Sequence, residues 1–214
     1  MYCYHLIAWI SFGICLATSL FYFFRLLRLG KPIDYSTPSG SVSNAIKYSF
    51  TGAMNPLKKE SAFLHLPTYV SGIIYHLGTF LSLFLFFPLL LGMQFNTLFS
   101  IIVSFFLLAS FGCGLGLFIK RLTKKGLRDL SSPDDYISNA FVTLFQLMTI
   151  FVLYKPSFIP AYFILAGLLW IYIPVGKLKH VIYFFAARVH LGYFYGWRGV
   201  WPPKKFNDND RCKN

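Results

Sequence analysis

Residues 66–119 contain no Lys, Arg, Asp or Glu and read LPTYVSGIIYHLGTFLSLFLFFPLLLGMQFNTLFSIIVSFFLLASFGCGLGLFI. A water-soluble domain cannot hide an uncharged stretch of this length, since about a quarter of its residues would be charged. A helix that spans a bilayer needs about 20 apolar residues, so this stretch is long enough for two. The uncharged connection GMQFN separates them. We therefore predict a membrane hairpin here.

The rest of the chain has the same character. Of its 214 residues, 56% are hydrophobic and 13% are charged, and the mean hydropathy is +0.58. Apolar runs flank the hairpin on both sides, so the sequence predicts an all-α integral membrane bundle of five transmembrane helices in contact with lipid. Residues 1–195 form this domain and residues 196–214 a cytoplasmic tail. The predicted spans are 4–27, 66–91, 97–119, 136–154 and 157–182.

The cationic side chains indicate how the bundle is oriented. The formal net charge is +13. If five spans alternate in direction, every Lys and Arg except Lys155 lies on one side, and cytoplasmic loops are the ones enriched in these residues. We therefore expect the N-terminus outside and the C-terminus in the cytoplasm. Nucleic-acid binding is not expected, because the 14 Tyr and 25 Phe lie inside apolar runs rather than between basic residues.

Three connecting segments carry local signals. Residues 43–50 combine apolar side chains with a lysine and form either a short interfacial helix or an irregular loop packed on a partner protein. Residues 131–135 read SSPDD, which is typical of a helix start with acidic groups at the positive end of the dipole. Residues 192–203 are dense in aromatic residues, Gly and Pro, and favour protein contact or interfacial anchoring equally.

Histidine is the side chain that gives this sequence its chemistry. None of the four cysteines forms a CxxC pair, which argues against a zinc or iron–sulfur site within the chain. His65 and His76 lie on the second span about three helical turns apart, which places them on one face with a rise of about 16 Å. His65 follows the cationic boundary, so His76 lies near mid-membrane. Ionisable residues at that depth are costly and usually functional.

His180 provides the second half of a candidate haem site. It follows two lysines at the cytoplasmic end of the fifth span, so its depth matches that of His65. Two antiparallel helices that each offer a histidine at one depth can supply the axial ligands of a six-coordinate haem b. We expect His65 and His180 to bind the iron; the alternative is two interfacial histidines. Pairing His65 with His190, and His76 with His180, is a further arrangement.

Two short motifs and the helix pattern resemble a known family. Residues 173–180 read IPVGKLKH, and residues 132–136 read SPDDY before the fourth span. With five spans, an outside N-terminus and two histidines on helix two, the chain resembles the gamma-subunit family of respiratory nitrate reductase. It is similar as well to the membrane subunits of heterodisulfide-reductase-like and sulfite-reduction-linked complexes. The resemblance covers most of the chain.

This resemblance implies a cofactor. Members of the family are five-helix b-type cytochromes with ligand histidines on helices two and five, which implies one haem b, or two, in this chain. The outer-haem histidine of helix five would fall at Tyr162. His76 therefore lacks that expected partner and is assigned to a second haem or to a quinone site. The implied propionate partners are Lys179 and Arg188.

The same resemblance implies partners and a location. Electrons would pass between a quinone or quinol near His76 and Tyr162 and an iron–sulfur subunit on the cytoplasmic face of a bacterial inner membrane. The basic loops and the tail segment 195–205 would bind that subunit. On this hypothesis the chain is an electron-transfer subunit of an oxidoreductase complex rather than a stand-alone enzyme. The rival hypothesis is a haem-free anchor that tethers other subunits.

Overall fold

The computed structural model describes residues 2–29, 34–55 and 64–203. All regular structure in these ranges is helical. Short 3-10 segments lie at Gly52–Met54, Pro156–Phe158 and Lys177–Lys179. In chain order the α-helices are α1 (Cys3–Leu29), α2 (Val42–Phe50), α3 (Leu66–Leu90), α4 (Thr97–Thr123), α5 (Lys125–Asp129), α6 (Pro133–Tyr154), α7 (Ile159–Val175) and α8 (His180–Trp197).

Within the described ranges, five helical segments are long and apolar enough to cross a membrane. They are α1, α3, α4, α6 and the segment Pro156–Val175, which contains α7. The predicted all-α bundle of five spans is therefore confirmed. Large apolar side chains point away from the protein along these helices, and Phe105 is 78% exposed and Phe84 67% exposed. Lipid acyl chains accommodate such surfaces, which water does not, and the chain is a multi-pass membrane protein.

The fifth span is shorter than the sequence suggested. The helix predicted at 157–182 ends at Val175, and α8 begins as a separate helix. Pro174 lacks the N–H that a helical residue donates to the preceding turn. The Tyr172 ring crosses the backbone at Gly176, where an added Cβ would meet its Cζ at 2.3 Å. The helix therefore ends where a proline and an overlying aromatic ring come together.

The chain divides into two compact units. The first comprises Met1–Thr18 and Ala62–Lys179, and so contains the beginning of α1 and all of α3 to α7. The second comprises Ser19–Ser61 and His180–Asn214, with the rest of α1, α2 and α8. Of the predicted tail, residues 196–203 belong to the second unit, and residues 204–214 lie outside the described residues.

Aromatic rings fill the centre of the first unit. Phe86 of α3 packs edge-on against Trp170 and Phe163 of α7, with ring centroids 5.4 and 6.0 Å apart. Phe12 of α1 meets the same Trp170 ring at 5.1 Å. Edge-to-face pairs add about 1 kcal/mol each beyond the burial of their area. The beginning of α1 is thereby fixed against α3 and α7.

Polar side chains join α3, α4 and α6. The Tyr75 hydroxyl donates to the carbonyl oxygen of Asn139 at 3.1 Å and lies 3.0 Å from Oγ1 of Thr143. Gln146 Nε2 donates to Oγ1 of Thr79 at 2.9 Å. Glycines on α3 and α4 let the backbones approach closely. In lipid the hydrophobic effect does not drive helices together, so polar contacts of this kind stabilise their packing.

Asp135 joins three helix ends of the first unit. Its Oδ2 accepts hydrogen bonds from the backbone N–H and the hydroxyl of Ser132, both at 3.0 Å, which confirms the helix start predicted at 131–135. The same carboxylate pairs with Arg121 of α4 and with Lys177, which follows α7. Asp135 is only 6% exposed. Both cations therefore compensate a charge that would be costly to bury alone.

These contacts define one end of the first unit, which we call the cationic end. It consists of the first residues of α3 and α6, the last residues of α4, and Lys177 after α7. Arg121 and Lys177 meet at one carboxylate, and Lys120 Nζ donates to Oγ1 of Thr68 near the start of α3. The spans of this unit therefore alternate in direction as predicted, with their cations at a common level.

Small residues let α2 and α8 pack closely in the second unit. A Cβ added at Gly192 would meet the Cα of Ile46 at 2.5 Å, and one at Gly196 would meet the Cβ of Ala45 at 2.6 Å. Of the two structures that the sequence left open for residues 43–50, the helix is confirmed. It packs against its own chain.

The segment after α8 folds back on the loop before α2. Trp197 Nε1 donates to the carbonyl oxygen of Ser36 at 3.0 Å, and Arg198 pairs with Asp34 at 2.7 Å. The hydroxyl and the backbone N–H of Ser36, together with the Arg198 guanidinium, lower the pKa of Asp34. Part of the aromatic surface that the sequence offered to a partner or to the membrane interface is therefore used within the chain.

Replacing Asp135 with Asn should lower the free energy of unfolding by about 2 kcal/mol, because both cations lose their carboxylate. The loss stays at the low end for a buried pair because Arg121 and Lys177 are 39% and 52% exposed. Thermal unfolding in detergent, followed by circular dichroism, measures it. Asp129→Asn is the matched control, since Asp129 is exposed and its change should stay within about 0.5 kcal/mol. Equal shifts in the two variants would contradict this role for Asp135.

Replacing Gly192 with Ala should separate α2 from α8, because the added methyl group meets backbone atoms that cannot move aside. Overpacking of this kind costs about 1–3 kcal/mol. Hydrogen exchange of the α2 amides should become faster. Gly116→Ala is the control, since a Cβ at Gly116 meets nothing within 4 Å. Unchanged α2 exchange in Gly192→Ala would show that this packing is loose.

Candidate functional site

One face of α3 is open and forms a groove of about 390 Å³. A Cβ added at Gly72 would meet nothing within 4 Å, so free space lies directly over the backbone. Every lining side chain belongs to α3, and the groove is therefore one wall of a site rather than a closed cavity. The lining residues are Thr68, Tyr69, Gly72, Ile73, His76 and Leu77.

The sequence of α3 gives the helix two chemically different faces. Tyr75 and Thr79 point towards α6, where they make the hydrogen bonds described above. His76 is rotated by about 100° from Tyr75 and is exposed. The polar contacts of one face thus fix which side chains the other face presents.

His76 uses one ring nitrogen in a hydrogen bond within α3. It lies about 15 Å along the helix axis from the start of α3, which places it well inside the span. Its Nδ1 is 2.6 Å from the carbonyl oxygen of Gly72. A carbonyl oxygen only accepts, so Nδ1 carries the proton and Nε2 of the neutral ring keeps its lone pair. This arrangement, with one nitrogen bonded to a carbonyl, is the usual one for a histidine that binds a metal.

His65 is the residue immediately before α3, at the cationic end, and its side chain is exposed. Its backbone is not helical, with φ −132° and ψ 43°, and it is not among the residues that line the groove. That His65 and His76 share one face stays a prediction from their spacing.

His180 and its predicted neighbours are divided between the two units. His180 is exposed and is the first residue of α8, in the second unit. Arg188 lies about two turns further on, with its guanidinium carbon 5.3 Å from the centre of the Phe184 ring. Lys179 ends the 3-10 segment of the first unit. The predicted pair of His65 and His180 therefore joins residues of separate units and stays a prediction.

His190 has a different environment from His76. Its Nε2 is 3.0 Å from the carbonyl oxygen of Leu26, within the second unit. By the same argument Nε2 carries the proton here, and it is engaged with the chain. His190 thus ties α8 to the end of α1, which gives it a structural contact that His76 does not have.

Tyr162 lies in the core of the first unit. It is 0% exposed, and its ring stacks on Phe145 at 5.2 Å and meets Phe163 edge-on at 5.3 Å. The hydroxyl is buried beside Thr149. Tyr162 thus lies among packed rings, whereas His76 lies on the open face of α3.

Sequence reasoning passed over Thr68, which lines the groove, and Lys120 of α4, which donates a hydrogen bond to the Thr68 hydroxyl. In the sequence Lys120 belongs to a run of cations that is explained by membrane orientation alone. The position of Thr68, about two turns before His76 on the same span, was the signal that could have linked this end of the span to the site.

A protein-only metal site is not formed in the ranges that the structure describes, where no three His, Cys, Asp or Glu side chains gather. A haem requires less, because the porphyrin supplies the equatorial ligands and the protein supplies axial imidazoles. The groove supplies one such imidazole, that of His76, with apolar side chains beside it and space over Gly72.

Comparison of the chain with protein-family models, curated proteins and solved structures finds no match. The function of the chain is therefore inferred from its own residues, above all from the groove on α3 and from His76.

In the protein purified without added ligand, His76→Leu should leave the free energy of unfolding within about 0.5 kcal/mol of the wild type, because the His76 hydrogen bond stays in its own helix. His190→Leu should lower it by about 1 kcal/mol, since the Leu26 carbonyl loses its donor. Thermal unfolding of both variants measures the difference. A His76→Leu variant as unstable as His190→Leu would mean that His76 serves packing.

Proposed function

We propose that this chain is a haem b-containing membrane subunit of a respiratory redox complex. It passes electrons between the quinone pool and an iron–sulfur subunit at the cytoplasmic face of a bacterial inner membrane. The observation that carries this proposal is His76, an exposed imidazole well inside a span, with its Nε2 free and open space beside it.

The cost of exposing an imidazole to lipid supports a ligand at this position. Ionisable side chains inside a membrane face a cavity, a partner group or a cofactor, because hydrocarbon cannot solvate them. The hydrogen bond to Gly72 uses one ring nitrogen of His76 and leaves the other nitrogen for a ligand. An apolar cofactor that contains an iron atom would coordinate this nitrogen and cover the apolar face of α3.

The protein groups that would bind haem b are the exposed histidines. His76 would supply one axial nitrogen, and His65 with His180 would supply the pair that the sequence predicts. The bound haem supplies one-electron transfer between its ferric and ferrous states. The chain holds the iron, excludes water from it by the apolar surroundings of the span, and so tunes its reduction potential.

Exposed cations at the cationic end support a protein partner. Lys124, Lys125 and Arg128 lie on and beside α5, are exposed, and form no ion pair within the described part of the chain. An acidic surface on a soluble iron–sulfur subunit complements them and would be guided to the membrane by the field. A quinone would exchange electrons with the haem from within the bilayer.

The second candidate function is a haem-free anchor. The hydrogen bonds between α3 and α6, and the close packing of α2 on α8, give a rigid scaffold on which other subunits could assemble. On this hypothesis a partner helix covers the groove, and the histidines bind no iron.

The reduced-minus-oxidised absorption spectrum of the purified protein separates the two functions. We expect a b-type alpha band, with haem extracted by pyridine in a stoichiometry of one or two per chain. His76→Leu should remove the haem that the groove binds, and His65→Leu and His180→Leu should each remove the haem of the predicted pair. His190→Gln is the control and should keep the full spectrum, because its Nε2 is engaged with a carbonyl. A chain that assembles with its partners and has no alpha band is an anchor.

A further inference from the structure

Lys120 is a half-buried cation at the cationic end of the groove. Its Nζ donates to Oγ1 of Thr68, which lines the groove. An ammonium group has three N–H donors, so this bond leaves two of them for other acceptors. In the described ranges, no carboxylate lies within ion-pair distance of Lys120. A half-buried charge at the edge of the hydrocarbon is stabilised by an anion.

The next residue shows that this arrangement is specific. Arg121 points to Asp135 and is neutralised there. Lys120 is rotated by about 100° on α4 and points to α3 instead. Of two consecutive cations, one therefore completes the carboxylate cluster of the first unit, and the other lies beside the groove without such a partner among the described residues.

The order of groups along the groove matches a molecule with acid groups at one edge. Thr68 and His76 are about two turns, or about 12 Å, apart along α3. Apolar side chains, Ile73 and Leu77, accompany the imidazole, and the cation lies at one end only. A haem has an apolar plane, an iron atom at its centre and two carboxylates on one edge.

We propose that Lys120, oriented by Thr68, binds the propionate carboxylates of the haem that His76 ligates. The acidic edge of the haem then faces the cationic end of the unit. This inference rests on the proposed function. It assigns the propionates of this haem to a residue of α4, whereas Lys179 and Arg188, which follow α7, are the partners that the resemblance implies for the haem of His65 and His180.

Apoprotein reconstituted with haem b, or with its propionate dimethyl ester, tests the assignment. The haem to follow is the one whose absorption disappears in His76→Leu. Esterification should weaken binding to the wild type about tenfold or more, because a charge-assisted hydrogen bond is lost. Lys120→Met should bind both forms equally and about as weakly as the wild type binds the ester. Lys120→Arg should recover the preference for the acid.

Two further measurements accompany the affinities. Lys155→Met is the matched control and should discriminate the acid from the ester as the wild type does, since Lys155 is exposed and follows the last residue of α6, whose first residues lie at the cationic end. The midpoint potential should fall in Lys120→Met, because a nearby cation favours the ferrous haem, and should not change in Lys155→Met. If Lys120→Met does not assemble, Thr68→Val, which keeps the shape of the side chain, should reduce the discrimination in its place.

The outcomes separate the two proposals. If haem binds and requires His76, but Lys120→Met and Thr68→Val still discriminate the acid from the ester as the wild type does, the role of Lys120 is wrong and the proposed function stands. If the wild type binds neither form, the proposed function is wrong and this inference falls with it.

Discussion

The arrangement of the first unit depends on the buried carboxylate of Asp135. Apolar contacts alone fix the relative position of two helices along the membrane normal only weakly, because lipid tails are as apolar as the side chains. A carboxylate fixed by the capping contact with Ser132 cannot slide, and it holds Arg121 of α4 and Lys177 after α7 at the same level. The position of Lys120 beside the start of α3 follows from this register, since Lys120 precedes Arg121 on α4.

The rotation of α3 is set by a second constraint. Tyr75 and Thr79 are bonded to α6, which turns the adjacent His76 to the opposite side. A rotation of α3 by one residue would bring the imidazole into the contact between α3 and α6 and expose a tyrosine to lipid. The hydroxyl and amide groups that bond these two helices therefore also keep Nε2 of His76 accessible. The depth of His76 and the direction of its side chain are thus fixed by two separate sets of polar contacts.

Much of this structure was predictable from the sequence, and the rest depends on contacts between distant residues. The spans follow from the uncharged runs, and the helix start at 131–135 follows from Ser, Pro and Asp within five residues. The end of α7 was missed because the apolar pattern continues past Pro174 and Gly176, and the Tyr172 ring that lies over Gly176 is visible only in the structure. The spacing of Gly192 and Gly196 can be read from the sequence, but the packing of α2 against these glycines cannot, because the two segments are far apart in the chain. Of the site, the sequence predicted the depth of His76 on the second span, but not its direction, which depends on the hydrogen bonds of the neighbouring side chains to α6.

The orientation of the His76 ring narrows the set of ligands that the sequence left open for it. A quinone carbonyl needs a donor, so Nε2 would have to carry a proton. With Nδ1–H bonded to Gly72 at 2.6 Å, that would make the ring an imidazolium ion well inside the span, where a charge is costly. An iron atom needs only the lone pair that the neutral ring already presents. A quinol hydroxyl donates a hydrogen bond, and the lone pair of Nε2 can accept it. The geometry thus favours a metal centre or a reduced quinol at this position over an oxidised quinone.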